Sequence, residues 1–206
     1  MKAPPAGPSR LRADSSFVDG AKVDRVDRVD RTGEANSIEP ALRIRAFEEG
    51  DEQRLHAVFH SSIHTHAARD HSPEQLVAWS PMVVDATLAA RWVERMRAIR
   101  PFVVETDGGA GGTIVGYADL QPDGYIDHFF VSGGFGGRGV GTRLMTHLID
   151  QARLRRLALL TSDVSTTARG FFAGFGFEIV ERQIVVQRGA RFTSTRMRLD
   201  LDAAHG

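Results

Sequence analysis

No cysteine occurs anywhere in the 206 residues, which excludes disulfides, thiolate nucleophiles and cysteine–zinc sites. Lysine is nearly absent too. Lys2 and Lys22 stand alone and arginine supplies the remaining basic charge, a compositional habit to which we attach no functional weight. An excess of charge of one sign is also missing. The 26 basic and 26 acidic residues give a formal net charge of zero, so no global field draws the chain toward nucleic acid or a membrane. No apolar run approaches the roughly 20 residues that span a bilayer. The opening residues, Met1-Lys-Ala-Pro-Pro-Ala-Gly-Pro8, lack the apolar stretch of a secretory signal. These absences leave a soluble cytoplasmic protein as the expectation.

What is present divides at about residue 38. Residues 1–38 are rich in Pro, Ser, Gly and charge, include the period-three repeat from Val23 to Arg31, and offer too few apolar groups to offset the entropy of ordering. They read as a disordered tail ahead of one domain over 39–203, a length able to bury a real core.

Leu42 to Ala46 alternates as a first strand. A helix follows from Asp51, with Leu55, Val58, Phe59 and Ile63 on its apolar face. Ser72-Pro-Glu-Gln75 carries an N-cap serine, a proline at the first helical position and a glutamine completing a capping box. It opens a short helix through Leu76 and Trp79, stopped by Pro81. A further helix starts at an Asp85 cap and runs through Leu88, Trp92, Val93 and Met96. Phe102 to Glu105 and Thr113 to Leu120 then form a hairpin about the glycine-rich turn from Asp107 to Gly112. Tyr125 to Val131 reads as one continuous third strand, antiparallel to these.

The chain is organised around the segment that comes next. Six glycines fall between Gly133 and Gly141. A helix-period segment follows, with Leu144, Met145, Leu148, Ile149, Ala152 and Leu154 on one face. Strand, glycine turn and helix in that order leave backbone N–H groups free at a helix N-terminus, where the helix dipole adds partial positive charge. Glycine lets a ligand approach the backbone closely. The chemistry that fits is binding of phosphate or pyrophosphate, and Arg138 can add a charge-assisted contact. Beyond the helix, Ala158 to Thr161 is a strand and Ser165 to Phe175 a short helix ended by Gly176. Phe177 to Gln187 and Arg191 to Leu199 close the domain as a hairpin.

Gly134-Phe-Gly-Gly-Arg-Gly139 also matches the G-x-G-x-x-G dinucleotide fingerprint, with Asp163 ending the next strand. Topology argues against that reading. The preceding strand is fed by a hairpin, and one crossover alone follows before the chain ends in another hairpin. A phosphate loop of the G-x-x-x-x-G-K-[ST] kind fails because no Lys-Ser/Thr follows the last glycine.

Three stretches in this order resemble the GNAT N-acetyltransferase superfamily: Phe129-Phe-Val131, the turn Gly136-Gly-Arg-Gly-Val-Gly141 in place of R/Q-x-x-G-x-G/A, and Ala168 to Phe177 with its closing Gly-Phe. His71-Ser-Pro-Glu-Gln-Leu-Val-Ala-Trp79 is similar to the Tyr-Ser-x-Glu-Gln-(Val/Ile)-x-Ala-Trp helix of small bacterial members. The resemblance covers residues 42 to 200. It implies an α/β (α+β) fold, a mixed and largely antiparallel sheet flanked by helices. It also implies transfer of an acetyl group from acetyl-CoA to a primary amine, by direct attack in a ternary complex. The acceptor would be a small molecule or a peptide, with no metal, and the protein a monomer or homodimer. The pantetheine arm would lie on the backbone of Phe129 and Val131, and the pyrophosphate on Gly137, Arg138, Gly139, Val140, Gly141 and Thr142.

Two departures stand out. Gly136 replaces the usual Gln or Arg and removes one side-chain contact to the pyrophosphate. Phe172 stands where the family's tyrosine protonates the departing thiolate, and Ser165 where its asparagine holds the pantetheine arm. These favour, as the alternative, a catalytically weak acyl-CoA-binding or regulatory protein. With Phe172 unable to donate a proton, Ser165 or water would assist the leaving thiolate. Alternation puts Tyr125, Asp127, Phe129 and Val131 on one strand face and His128 on the other. Asp127 is thus the candidate general base or amine anchor. His71, Trp79 and Tyr125 are candidates for the acceptor side, as is Trp92, with core packing the competing role for both tryptophans. His56, His60 and His64 form a stripe too long to ligate one ion together and read as a solvated helix face.

Overall fold

The computed structural model describes residues 41–107 and 112–202. The expected tail, the ends of the expected domain and the centre of the turn between Asp107 and Gly112 lie outside the described residues.

Among the described residues, eight strands and five α-helices follow one another as β1 (Leu42–Ala46), α1 (Glu52–Thr65), α2 (Pro73–Trp79), α3 (Ala86–Ile99), β2 (Phe102–Thr106), β3 (Ile114–Ala118), β4 (Tyr125–Ile126), β5 (Phe129–Val131), α4 (Val140–Leu154), β6 (Leu159–Ser165), α5 (Arg169–Gly174), β7 (Glu178–Gln187) and β8 (Ala190–Asp200). Local chemistry sets several boundaries. Ser72 Oγ accepts from the Gln75 amide at 3.3 Å while Gln75 Oε1 accepts from the Ser72 amide at 2.9 Å, the reciprocal pair that opens α2. Asp85 Oδ1 accepts from the Leu88 amide at 2.8 Å and opens α3. Arg188 and Gly189 both take positive φ, 46° and 81°, in the two-residue turn that joins β7 to β8.

The strands make two four-stranded sheets, ordered β1-β2-β3-β5 and β4-β6-β8-β7. Every pairing is antiparallel except β4 with β6. The expected single strand from Tyr125 to Val131 is therefore two strands in two sheets, and the three-stranded antiparallel run is completed by β5 alone.

Alternation along β2 sends Val103 and Val104 to opposite faces. Val103 and Tyr117 pack with Leu55, Val58 and Met96 of α1 and α3. Val104, Val115 and Val164 pack with Leu144, Leu148 and Phe172 of α4 and α5. The α4 face is as read from its period, with one exception. Leu154 is 76% exposed, because it lies two residues beyond Ala152 and so on the opposite side of the helix. A third cluster joins Trp79 of α2 to Ile63 and Phe192.

Candidate active site

The break between β4 and β5 has a specific cause. Asp119, just past β3, is fully buried, and its Oδ1 accepts from the amides of Asp127 at 2.9 Å and His128 at 2.7 Å. One carboxylate oxygen thus satisfies two peptide groups that a continuous strand would have given to a neighbour. β4 is then free to turn to β6, where Ser162 Oγ donates to the Ile126 carbonyl at 2.8 Å. β5 stays on β3, leaving a wedge between the sheets. His128 O accepts from the Asp119 amide and the Ser132 amide donates to Val115 O. Alternation then turns the backbone groups of Phe129 and Val131 away from β3, to the open edge.

That wedge is a cleft of about 510 Å³. One end is the glycine turn. Gly137 and Gly139 hold φ of 75° and 76°, values that bend the chain into α4 without the cost other residues incur. No side chain caps α4, so its first amides are not engaged by a capping side chain. Gly136, Gly137, Gly139, Val140, Gly141 and Thr142 all line the cleft. Arg138 is not among the lining residues; its guanidinium lies 5.4 Å from the centroid of the Phe135 ring. The role read for it from sequence as a phosphate contact has no support in that position.

The other end collects carboxylates. Asp127 lines the cleft and is ion-paired with Arg95, with His128 Nε2 3.6 Å away; both contacts fall on Oδ2. Asp163 also lines the cleft, with its side chain only 2% exposed. It accepts from Arg196 through both oxygens, at 2.9 and 2.7 Å, from Gln183 Nε2 at 2.7 Å and from the Tyr125 hydroxyl at 3.2 Å. Burial and the Asp163 charge push the Tyr125 hydroxyl well above its usual pKa, so it stays a donor. Burial raises Asp119 to about 6, against the hydrogen bond from the His128 amide and with the help of the Asp127 charge. Burial pushes His128 down to about 4. Its Nδ1 lies 3.1 Å from the Tyr117 hydroxyl, and its ring packs among Trp92, Tyr117 and Phe130.

The middle is apolar. Phe172 is 2% exposed and meets Phe129 edge-on, with ring centroids 5.5 Å apart. Ser165 lies at the end of β6 and precedes the helix it was read as opening. Its Oγ accepts from the Ala168 amide at 3.2 Å, which leaves its hydroxyl hydrogen to donate.

Among the acceptor-side candidates, Trp79 lines the cleft and His71 and Tyr125 are not among its lining residues. His71 is buried behind Trp79, ring centroids 5.4 Å apart, with neither ring nitrogen bonded, and burial lowers its pKa. Tyr125 donates its hydroxyl hydrogen to Asp163, which does line the cleft. Trp92 packs with the α1 and α3 core and donates Nε1–H to the Glu52 carbonyl at 2.7 Å. The histidine stripe is a packed seam and not a solvated face. His60 Nδ1 is 2.9 Å from Ser80 Oγ, His64 Nε2 2.8 Å from Ser80 O, and burial lowers His56 and His60. Among the described residues no group of three His, Asp or Glu side chains is placed to hold a metal ion.

Sequence reasoning missed Asp119, Arg95, His66 and the role of Asp163. Asp163 had shown itself there only as a residue ending a strand.

A sheet parted at one point, with an uncapped glycine turn at one end of the wedge and polar groups at the other, is the arrangement that the resemblance to the acetyltransferases implies. Residues 67–201 match the family described as acetyltransferase (GNAT) domain, and the chain belongs to that family. It is 33% identical over 157 residues to the uncharacterized N-acetyltransferase YafP of Escherichia coli (strain K12), an alignment spanning 76% of this chain and 95% of that protein. A crystal structure of a GCN5-related N-acetyltransferase from Rhodopseudomonas palustris matches with a TM-score of 0.66 at 31% identity, over 78% of this chain and 95% of that one. The structure of yncA from Salmonella typhimurium with its cofactor acetyl-CoA matches at 0.55 and 18% identity, over 79% and 95% of the two chains; that likeness is one of fold. No helix among the described residues is long and apolar enough to cross a membrane.

Proposed function

We propose that the protein transfers an acetyl group from acetyl-CoA to a primary amine, by direct attack with both substrates bound. The observation that carries this reading is the wedge itself. Its phosphate-sized turn of uncapped amides, its open β5 edge and its carboxylate-lined far end lie along one cleft, in that order. The match to a fold solved with acetyl-CoA supports the choice of donor.

Acetyl-CoA, when bound, supplies the acetyl group as an activated thioester. The amides from Gly137 to Thr142 would hold its phosphates, and the backbone of Phe129 and Val131 its extended arm. Asp127 keeps Oδ1 for the acceptor's ammonium while Arg95 fixes Oδ2. Of its two candidate roles, amine anchor is the one this geometry favours. Trp79 closes the acceptor side with an apolar wall. The Ser165 hydroxyl hydrogen is the proton donor for the departing sulfur, in place of the phenol that Phe172 lacks. No cysteine exists for a covalent relay.

One observation favours a second reading. The phenyl group of Phe172 is buried where the family resemblance places a proton donor. Loss of a general acid costs about 10²–10⁴ in rate, which would suit a protein that binds acyl-CoA without useful turnover.

The thermal midpoint with acetyl-CoA, CoA or NAD tests the donor. Ligand at 100 times its dissociation constant adds about 2.7 kcal/mol, a rise of about 5–10 °C for a domain of this size. A rise with acetyl-CoA and none with NAD supports the donor site, and no rise with any CoA removes it. Release of free thiol with some member of an amine panel then separates transferase from binding protein.

A further inference from the structure

Gly136 is the position at which this turn departs from its family, and its backbone does not require glycine. Its φ of −61° and ψ of 137° suit any residue. Space is what requires it. A Cβ at Gly136 would stand 2.6 Å from Cε1 of His66 and 3.5 Å from both ring nitrogens, so the imidazole of His66 fills the volume a longer side chain would occupy. His66 itself lines the cleft, and neither ring nitrogen bonds to a described residue.

The segment that carries this ring is tied at both of its ends. The His66 amide donates to the Ser62 carbonyl at 2.8 Å as α1 ends. Four residues on, Asp70 Oδ2 accepts from Thr167 Oγ1 at 2.6 Å on the far wall, so segment 66–70 crosses the cleft like a strap. The last turn of α1 also rests on the phosphate turn: Ser61 Oγ accepts from the Gly133 amide at 3.0 Å, and a Cβ at Gly133 would meet Thr65 Oγ1 at 2.3 Å. Arg69, on the same strap, lines the cleft as well.

The geometry points to a side-chain exchange between elements: His66, reaching across from the end of α1, supplies the hydrogen bond to the donor's pyrophosphate that the side chain missing at Gly136 would have made. This rests on acetyl-CoA being the donor. Gly136 is then the complement that makes room for His66, and the two positions form one unit.

Calorimetric dissociation constants test this with four probes: acetyl-CoA, CoA, dephospho-CoA and S-acetylpantetheine, which has no pyrophosphate. A charge-assisted hydrogen bond contributes enough that His66→Ala should weaken acetyl-CoA, CoA and dephospho-CoA about tenfold or more. S-acetylpantetheine should be unchanged. His66→Ala/Gly136→Gln should recover most of the loss, because the glutamine enters the space the ring has left. The thermal midpoint of each unliganded variant checks that it folds, and His66→Gln, which keeps a donor, should bind within a few fold of the parent. Equal weakening of S-acetylpantetheine would mean that His66 only packs the cleft. Weakening of CoA without dephospho-CoA would move the contact to the 3′-phosphate. Either result, or no effect of His66→Ala, or no recovery in the double variant, overturns the assignment while leaving the donor site intact. Failure of the parent protein to bind any CoA probe would instead remove the donor reading on which it rests.

Discussion

The two ends of the cleft are built from different materials. At the glycine turn, the proposed phosphate end, the groups on offer are backbone amides, presented by Gly137 and Gly139 and by a helix that no side chain caps. At the proposed acceptor end the groups on offer are side chains, Asp127 with Arg95 and Asp163 with Arg196, Gln183 and Tyr125. The first kind of site depends on chain conformation and tolerates loss of side chains. The second depends on partners brought together from five elements and the loops beside them, and tolerates little.

The sharpest way to break this contrast is to damage backbone at the phosphate end. A Cβ at Gly139 meets nothing within 4 Å, so the β-carbon of Gly139→Val enters open space. Its φ of 76° is strained for a branched residue by roughly 1–3 kcal/mol, and the open space beside it is the proposed phosphate position. We expect the affinity for acetyl-CoA to fall by about 100-fold or more, read by calorimetry, in a protein that still folds. Affinity within threefold of the parent would show that the turn is not the phosphate site.

The joint between the ends makes a second test, through pH. Asp119, raised to about 6 by burial, keeps a proton in the folded chain that the unfolded chain loses near pH 3.9. Stability from this group therefore falls as pH rises from about 4 to about 6, by about 3 kcal/mol at most. His128, lowered to about 4 by burial, does the opposite. Between about 4 and 6.5 the unfolded chain binds a proton that the folded one refuses, so its contribution to stability rises by about 3 kcal/mol. The two slopes offset each other, so the parent's remaining rise across this window comes from His56, His60, His71 and His147, which burial also lowers. Asp119→Asn keeps an oxygen for the Asp127 and His128 amides and removes the falling slope. Urea titrations should then show the variant gaining about 3 kcal/mol more than the parent from about pH 4 to 6.5. Identical profiles for variant and parent would mean that Asp119 does not titrate in this way.

The legible parts of this molecule are those whose cause is local in the chain. The capping box at Ser72, the cap at Asp85, the apolar stripe of α4 and the glycine turn each rest on residues within a few positions of one another, and each is found where it was read. The strand from Tyr125 to Val131 was misread because its break is dictated by Asp119, a residue on the far side of a turn whose carboxylate shows no local pattern. His128 and Asp127 were assigned to opposite faces by alternation alone, yet both fall in the break between β4 and β5, and His128 Nε2 comes within 3.6 Å of Asp127 Oδ2. His66 and Asp163 were invisible as site residues for the same reason as Asp119. Their neighbours, Gly136 for one and Arg196 for the other, are tens of residues away in sequence, and nothing short of tertiary structure sets them side by side.

A mirrored pair of alanine substitutions sharpens the comparison at its smallest effect. Asp163→Ala removes the shared acceptor of Arg196, Gln183 and Tyr125, loosening the floor of the acceptor end without touching the glycine turn. Turnover per bound amine, as kcat/KM at saturating acetyl-CoA, should fall about tenfold, the order expected when a charged hydrogen-bond partner is lost. The dissociation constant for acetyl-CoA should move less than twofold. Arg138→Ala removes the one charged side chain within the turn, yet Arg138 is not among the residues lining the cleft and its guanidinium lies over Phe135, a surface contact of about 0.5–1 kcal/mol. Both kcat/KM and acetyl-CoA affinity should stay within twofold of the parent. A large loss of acetyl-CoA affinity in Arg138→Ala would show that the turn binds by side chain after all, and the division of the cleft into a backbone end and a side-chain end would fail at its simpler half.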